Sequence, residues 1–287
     1  MSRVDIAIIG AGPAGISAAI NAKIRNKSFI LFGSDSLSLK VDISKQIDNY
    51  IGFPCTSGKE LNEKFKAHMQ NLDISVTNEQ ITGIYNKGDY FILLADLKQF
   101  EASSVIIATG AETAKPIEGE REFLGRGVSY CATCDGNLFK GKTIAVFCDS
   151  PEEEAEAIYL SEIAGKVYYC PNFKSGLERE NIIKLDSKIK AVLGDSLVRE
   201  IELKNGEKIK IDGIFFIKQS VAADILLRKL KTENGSIVVD RNMKTSVDGC
   251  FAAGDCTGAP YQLAKAVGEG NIALHSAISY LAKMEEK

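Results

Sequence analysis

The stretch VDIAIIGAGPAGISAAI, Val4 to Ile20, sets the fold of this chain. An apolar run ends at Gly10, and small residues at helical spacing follow it. In such a strand–turn–helix each glycine has its own task. Gly10 makes the tight turn, Gly12 lets the backbone approach a pyrophosphate, and Gly15 allows helix and strand to pack closely. Pro13 and Ala14 lie inside the same turn and are read with it as cofactor-binding, since the helix start points its free N–H groups at the anion. A second strand ends in ILFGSDS, which brings Asp35 to the place where an acid would hold the ribose. A lone G-x-G-x-x-G reads equally well as a glycine-rich turn. Strand, helix and acid in this order make it a nucleotide frame.

Composition bounds the rest. A chain of 287 residues with 45% apolar content has room for two globular domains. The net charge of −3 gives no basic field for nucleic acid or anionic lipid. No apolar run is long enough to span a bilayer. The chain enters a strand at Val4, which leaves no room for a signal peptide. Seven cysteines, an odd number, argue against a secreted disulfide framework. The expected compartment is cytoplasmic.

A second strand–helix frame stands at KTIAVFCDSPEEEAEAIYL, Lys142 to Leu160. Aligned on the first, it has Cys148 in the place of Gly10, Ser150 in that of Gly12 and Glu153 in that of Gly15. Asp149, Glu152, Glu153, Glu154, Glu156 and Glu162 all precede the next base, Lys166. Glutamates in the first turns of a helix are good capping chemistry, and they also repel phosphate. The following KVYYCPNF has Pro171, Asn172 and Phe173 where a basic cluster would grip a 2′-phosphate. The second frame is expected not to hold a nucleotide.

Between the frames lies VSYCATCDGNLF, Val128 to Phe139. Cys131 and Cys134 in a C-x-x-C can close a redox-active ring, and a helix start lowers the pKa of such thiols. Half of a zinc site is the competing reading. It needs further ligands at close spacing, and the only histidines, His68 and His275, are isolated; no metal is expected. Cys55, Cys148, Cys170, Cys250 and Cys256 read as buried packing residues, with Cys256 the one to watch.

Two further motifs carry a resemblance. DGCFAAGDCTGAPYQ, Asp248 to Gln262, resembles the second FAD motif of flavoproteins with two dinucleotide-binding domains, with a strand over Cys250 to Ala253 and a helix from about Tyr261. In that family the aspartate, here Asp255 after Gly254, bonds the ribityl chain. VIIATGA, Val105 to Ala111, with Thr109 and Gly110, resembles their crossover strand. With CATCDG between the frames, nearly the whole chain resembles the low-molecular-weight thioredoxin reductases. The resemblance implies FAD as cofactor and thioredoxin as substrate. It implies that Cys134 lies against the flavin, that Cys131 attacks the partner disulfide and that Asp135 manages the proton. Asn49, in DNYIGFP, matches an asparagine near the flavin. The family's Arg-Gln after the second motif reads Tyr261-Gln262 here, and its second nucleotide site is missing. That loss makes the chain most similar to the ferredoxin-dependent flavin thioredoxin reductases, with ferredoxin as donor and a homodimer permitted. An NADPH-dependent reductase with an atypical nucleotide site and a flavin-bound redox sensor without turnover are the rivals, and a deazaflavin donor stays open.

The expected fold is therefore α/β, with two Rossmann-like (FAD/NAD(P)-binding) three-layer domains, the second inserted in the first. The FAD domain would take 1–112 and 244–287, and the cysteine domain 113–243. Hinges are expected at ETAKPIEGE, Glu112 to Glu120, and around Asp240 to Thr245. Residues 186–217 alternate apolar and polar and read as antiparallel strands with a turn at Asn205-Gly206.

Overall fold

A parallel strand covered on both faces has no use for alternation, and β1 (Val4–Ile9) shows none, with Ile6, Ala7, Ile8 and Ile9 all buried. The computed structural model describes residues 3–95, 98–111, 117–130, 132–218 and 223–286. After β1 come α1 (Pro13–Ile24) and β2 (Phe29–Phe32), which lies parallel to β1. A short α2 (Leu39–Asp42) and α3 (Gly58–Asn71) lead to β3 (Val76–Thr77). Then β4 (Gly83–Asn86), β5 (Phe91–Ala95) and β6 (Lys98–Ile107) run antiparallel in sequence, which gives the sheet order β3-β2-β1-β6-β5-β4. The far half of β6 pairs parallel with β1.

The second unit is built on β7 (Val128–Ser129), α4 (Ala132–Asp135), β8 (Thr143–Cys148), α5 (Glu154–Ile163), β9 (Lys166–Pro171) and β10 (Ile182–Lys184). β11 (Ile189–Gly194), β12 (Val198–Leu203) and β13 (Lys208–Lys210) follow as an antiparallel sheet. The turn between β12 and β13 carries Gly206 at φ +89°. The last strand of the stretch departs from the antiparallel expectation for 186–217. β14 (Gly213–Ile217) joins the parallel sheet, in the order β10-β9-β8-β14-β7. Its five residues, GIFFI, are all buried. A strand apolar on both faces belongs in the interior of a covered sheet, between two others.

The chain then returns to the first unit through α6 (Ala223–Leu226), β15 (Thr232–Glu233), β16 (Ser236–Ile237), β17 (Cys250–Ala252) and α7 (Leu263–Glu285). β17 lies parallel beside the end of β6, and α7 packs along α1. The two helices touch so closely that a Cβ on Gly270 would stand 2.1 Å from the carbonyl oxygen of Ala14. Ser17 Oγ also donates to the Val267 carbonyl at 2.7 Å.

Two compact units result: Met1–Thr113 with Ala222–Lys287, and Ala114–Val221. The return thus falls about twenty residues earlier than the 243/244 boundary expected from the sequence. Leu226 and Leu227 are buried, Leu227 bridges to Ile84, and Met243 shares a core cluster with Ile8 and Phe251. The expected hinge at Asp240 to Thr245 is accordingly a turn within the first unit, with Met243 N–H donating to the Asp240 carbonyl at 3.0 Å. The other expected hinge lies partly outside the described residues, which resume at Ile117.

Candidate active site

In the first unit, β1 delivers the chain to Gly10 at φ +112°, where a Cβ would fall 2.2 Å from the Ala108 carbonyl oxygen. A Cβ on Gly15 would lie 1.8 Å from the Gly10 oxygen, so helix and turn are in contact there. A Cβ on Gly12 would meet nothing within 4 Å. Gly12 is also the N-cap of α1, with Pro13 following and no side chain capping the helix. The result is open space in front of backbone N–H groups at a helix start, which is a fit for a phosphate anion. Thr109 and Gly110 follow β6, with Gly110 at φ +79°. Asp35 is exposed in the turn after β2.

The C-terminal motif comes to the same unit. β17 ends before Gly254 at φ +85°, and Asp255–Thr257 form a single 3-10 turn. The Gly254 N–H donates to Glu269 Oε2 at 2.9 Å, and the Thr257 hydroxyl donates to the same oxygen at 2.9 Å. Lys265, one helical turn before Glu269, pairs with it at 3.0 Å and donates to the Gly254 carbonyl at 2.9 Å. The motif is therefore clamped from α7 by two charges that sequence reasoning did not single out. Their i,i+4 spacing was a visible signal.

Distant positions meet around this turn. Lys40 Nζ lies 2.5 Å from Asp255 Oδ2 and 5.0 Å from the Tyr261 ring centroid. Asn49 Nδ2 donates to Gln262 Oε1 at 2.7 Å. Asn49, Asp255, Tyr261 and Gln262 were expected from sequence, whereas Lys40 was not. Gln262 stands at the N-cap position of α7, so the helix begins at Leu263 and not at Tyr261.

In the second unit, Cys131 lies outside the described residues, as does the side chain of Cys134, whose backbone belongs to α4. The residues around the pair are described. Ser129 Oγ donates to Asp135 Oδ2 at 2.6 Å, so this hydrogen bond joins the residues flanking the C-x-x-C.

The degenerate frame is filled from within. Ser150 stands at the N-cap position of a short 3-10 turn, Pro151–Glu153, which runs into α5. The Glu154 carboxylate accepts from Tyr169 Oη at 3.0 Å and from Ser175 Oγ. Asn172 Nδ2 donates to Asp149 Oδ1 at 3.0 Å, while Lys188 donates to Asn172 at 2.8 Å. Phe173 packs against the core of this unit. Cys148 is buried at the end of β8, and desolvation, with Glu153 nearby, pushes its thiol up to about 12.

Burial also raises Cys170, and it pushes Cys250 and Cys256 up to about 12. Cys55 corrects the expectation of five buried thiols: it is exposed. It sits at φ +54° in the loop entering α3, beside an open groove of about 770 Å³ lined also by Phe53, Lys59 and Lys64. Among the described residues no three His, Cys, Asp or Glu are grouped to hold a metal ion. Nor is any helix among them long and apolar enough to cross a membrane.

The profile of the pyridine nucleotide-disulphide oxidoreductase family matches residues 4–147 and 175–270. The chain belongs to this family. A thioredoxin reductase from Helicobacter pylori is 37% identical over 97% of this chain and 99% of its own. One from Bacillus subtilis is 31% identical over 98% and 96%. Among solved structures, a ferredoxin-flavin thioredoxin reductase from Clostridium acetobutylicum is 49% identical, covers all of both chains and superposes with a TM-score of 0.94. A second one from that organism is 45% identical over 99% of both chains, with a TM-score of 0.87. Pyridine nucleotide-disulphide oxidoreductases bind FAD, and the α/β fold of both units is theirs. FAD is accordingly the cofactor, and the open, uncapped start of α1 suits its pyrophosphate.

Proposed function

We infer that this oxidoreductase takes electrons from a reduced ferredoxin and passes them through FAD and the Cys131–Cys134 disulfide to thioredoxin, in the cytoplasm. The observation that carries the donor assignment is the filled second frame. Glu154 is hydrogen-bonded by Tyr169 and Ser175, and Asp149 by Asn172, where a nicotinamide nucleotide would need glycines and cations. The likeness to two ferredoxin-flavin thioredoxin reductases supports the same reading.

On this reading Gly10, Gly12, Pro13, Ala14 and Gly15 hold the pyrophosphate and Asp35 the ribose. Asp255 turns to the ribityl chain, and Asn49, Thr109, Gly110, Tyr261 and Gln262 line the flavin. When bound, FAD supplies the adaptor chemistry, accepting electrons singly and giving them up as a pair. The Cys131 thiolate attacks the thioredoxin disulfide, forming a mixed disulfide and releasing one thioredoxin thiolate. Cys134 then attacks Cys131, re-forms the internal disulfide and releases the second. Asp135 carries the proton between Cys134 and the exchange. The driving force is adequate. Low-potential ferredoxins lie near about −400 mV and thioredoxin near about −270 mV. Two electrons across roughly 130 mV release about 6 kcal/mol.

The test is anaerobic. The FAD-loaded protein is mixed with excess NADPH, then with reduced ferredoxin, and flavin absorbance is followed. Bleaching by ferredoxin alone, with thioredoxin thiols appearing afterwards, is the expected result. Rapid bleaching by NADPH would reject the donor assignment. Reduction without turnover of thioredoxin would leave a redox sensor.

A further inference from the structure

A carboxylate turned toward an anionic cofactor needs a counter-charge. FAD carries a negative pyrophosphate, its flavin gains negative charge on reduction, and nearby protein charges tune that step. Asp255, in the first unit, has a side chain that is 15% exposed. Left unmatched there, its charge would be costly to hold and would repel the cofactor.

The structure supplies one match. Lys40 places Nζ 2.5 Å from Asp255 Oδ2. Among the described residues Asp255 has no other ion pair, and its Oδ1 accepts from no donor. One oxygen is thus taken by the cation, and the other is free for a hydroxyl. The remaining charges at this turn, Lys265 and Glu269, pair with each other at 3.0 Å.

The backbone brings Lys40 to this place. Val41, the next residue, is buried in a cluster with Ile47 and Leu61. Ser38 Oγ accepts from the Val41 N–H at 3.3 Å. From α3, Asn62 Nδ2 donates to the Ser38 carbonyl at 3.0 Å and to Asp42 Oδ1 at 3.4 Å, so α2 is tied down on both sides of the lysine. The Lys40 side chain is itself 64% exposed, and its ammonium stands 5.0 Å from the Tyr261 ring centroid. A ring face attracts a cation held so near.

We propose that Lys40 is a cofactor-site residue that neutralises Asp255, so that FAD meets a matched pair in place of a bare carboxylate and its flavin is easier to reduce. The proposal rests on the FAD site described in the reading above, and not on the identity of the donor. The sign follows from the charges. Without the ammonium, Asp255 disfavours the bound cofactor and disfavours its reduced form more.

The experiment uses full-length, FAD-loaded protein. FAD released on dilution is read by its fluorescence. The flavin potential is measured anaerobically against a reference dye, with dithionite as reductant, so neither ferredoxin nor thioredoxin is needed. Lys40→Met should weaken FAD binding about tenfold. It should weaken binding of the reduced form about tenfold more, which makes the potential more negative by about 30 mV. Lys40→Arg keeps the cation and should stay close to wild type in both measurements. Asp255→Asn leaves the lysine unmatched and should shift the potential the other way, and the double variant should return it close to wild type. If Asp255→Asn does not retain FAD, the comparison of Lys40→Met with Lys40→Arg decides, since an exposed side chain can be exchanged without unfolding, as circular dichroism would verify. A more negative potential in Lys40→Met with rescue in Lys40→Arg supports the proposal. An unchanged or less negative potential in Lys40→Met, or an equal loss in Lys40→Arg, overturns it. Wild type that is reduced by dithionite but not by ferredoxin would fail the donor assignment, while the potentials still decide the role of Lys40.

Discussion

Four thiols of this chain are closed to reagents by the sheets around them. Burial pushes Cys148, Cys250 and Cys256 up to about 12 and raises Cys170, so at neutral pH all four stay protonated. Cys55 alone among the five free cysteines described is exposed. With the Cys131–Cys134 pair oxidised, native protein should therefore release one equivalent of thionitrobenzoate from Ellman's reagent near neutral pH. Cys55→Ser should release none until denaturant is added. Fast labelling of several thiols in the native protein would contradict the burial. At this scale the candidate site was legible in the sequence where residues belong to a backbone device, as Gly10, Gly12 and Gly15 do at their turn, and Asp255 was reached through the resemblance of its motif. Lys40 left no such trace. It reaches Asp255 across 215 positions, and only the folded sheet brings the two together.

Elements carry their own signals, and α3 carries a strong one. Ser57 Oγ accepts from the Glu60 N–H at 3.2 Å, and the Glu60 carboxylate accepts from the Ser57 N–H at 2.9 Å, which closes a reciprocal cap. Ser57→Ala should cost about 0.5–2 kcal/mol in urea unfolding. These hydrogen bonds, from the Ser57 backbone first, hold the Glu60 carboxyl below its ordinary 4.5. A depressed carboxyl stabilises the fold fully above the unfolded value and loses that contribution as pH falls through the folded one. The gap between wild type and Ser57→Ala should therefore be constant above about pH 5 and narrow in more acid solution. A gap that widens on acidification would show that the cap is not the cause. The α1–α7 contact gives a second expectation: Gly270→Ala forces a methyl against the Ala14 carbonyl and should destabilise by about 1–3 kcal/mol. Strand β14 shows where periodicity runs out. Its neighbours in sequence alternate, so it read as one more antiparallel strand. Yet five consecutive buried positions have no period of two to offer, and the parallel partner strands lie far off in the chain.

At the scale of the whole molecule, the order of the two frames and the insertion of one unit within the other could be anticipated from three motifs in sequence. The second crossing could not. Residues 223–243 carry no long apolar period, and their membership of the first unit comes from short contacts such as Leu227 with Ile84. The unit Ala114–Val221 is continuous. Expressed alone it should resist proteolysis and unfold cooperatively, whereas a chain ended at Val221 should fail to retain FAD and lose its first hundred residues to protease. Protection of those residues in the truncated chain would mean that β1 to β6 are stable without β17 and α7. The insertion also dictates a history for every copy made by a ribosome. The turn after β1 emerges before the inserted unit, but the helix that packs on α1 is encoded only after it. The nascent first half must wait with an uncovered hydrophobic face while the intervening unit is translated and folds. Cofactor loading is then a post-translational event, and the exposed face of α1 during that interval is where a chaperone would be needed.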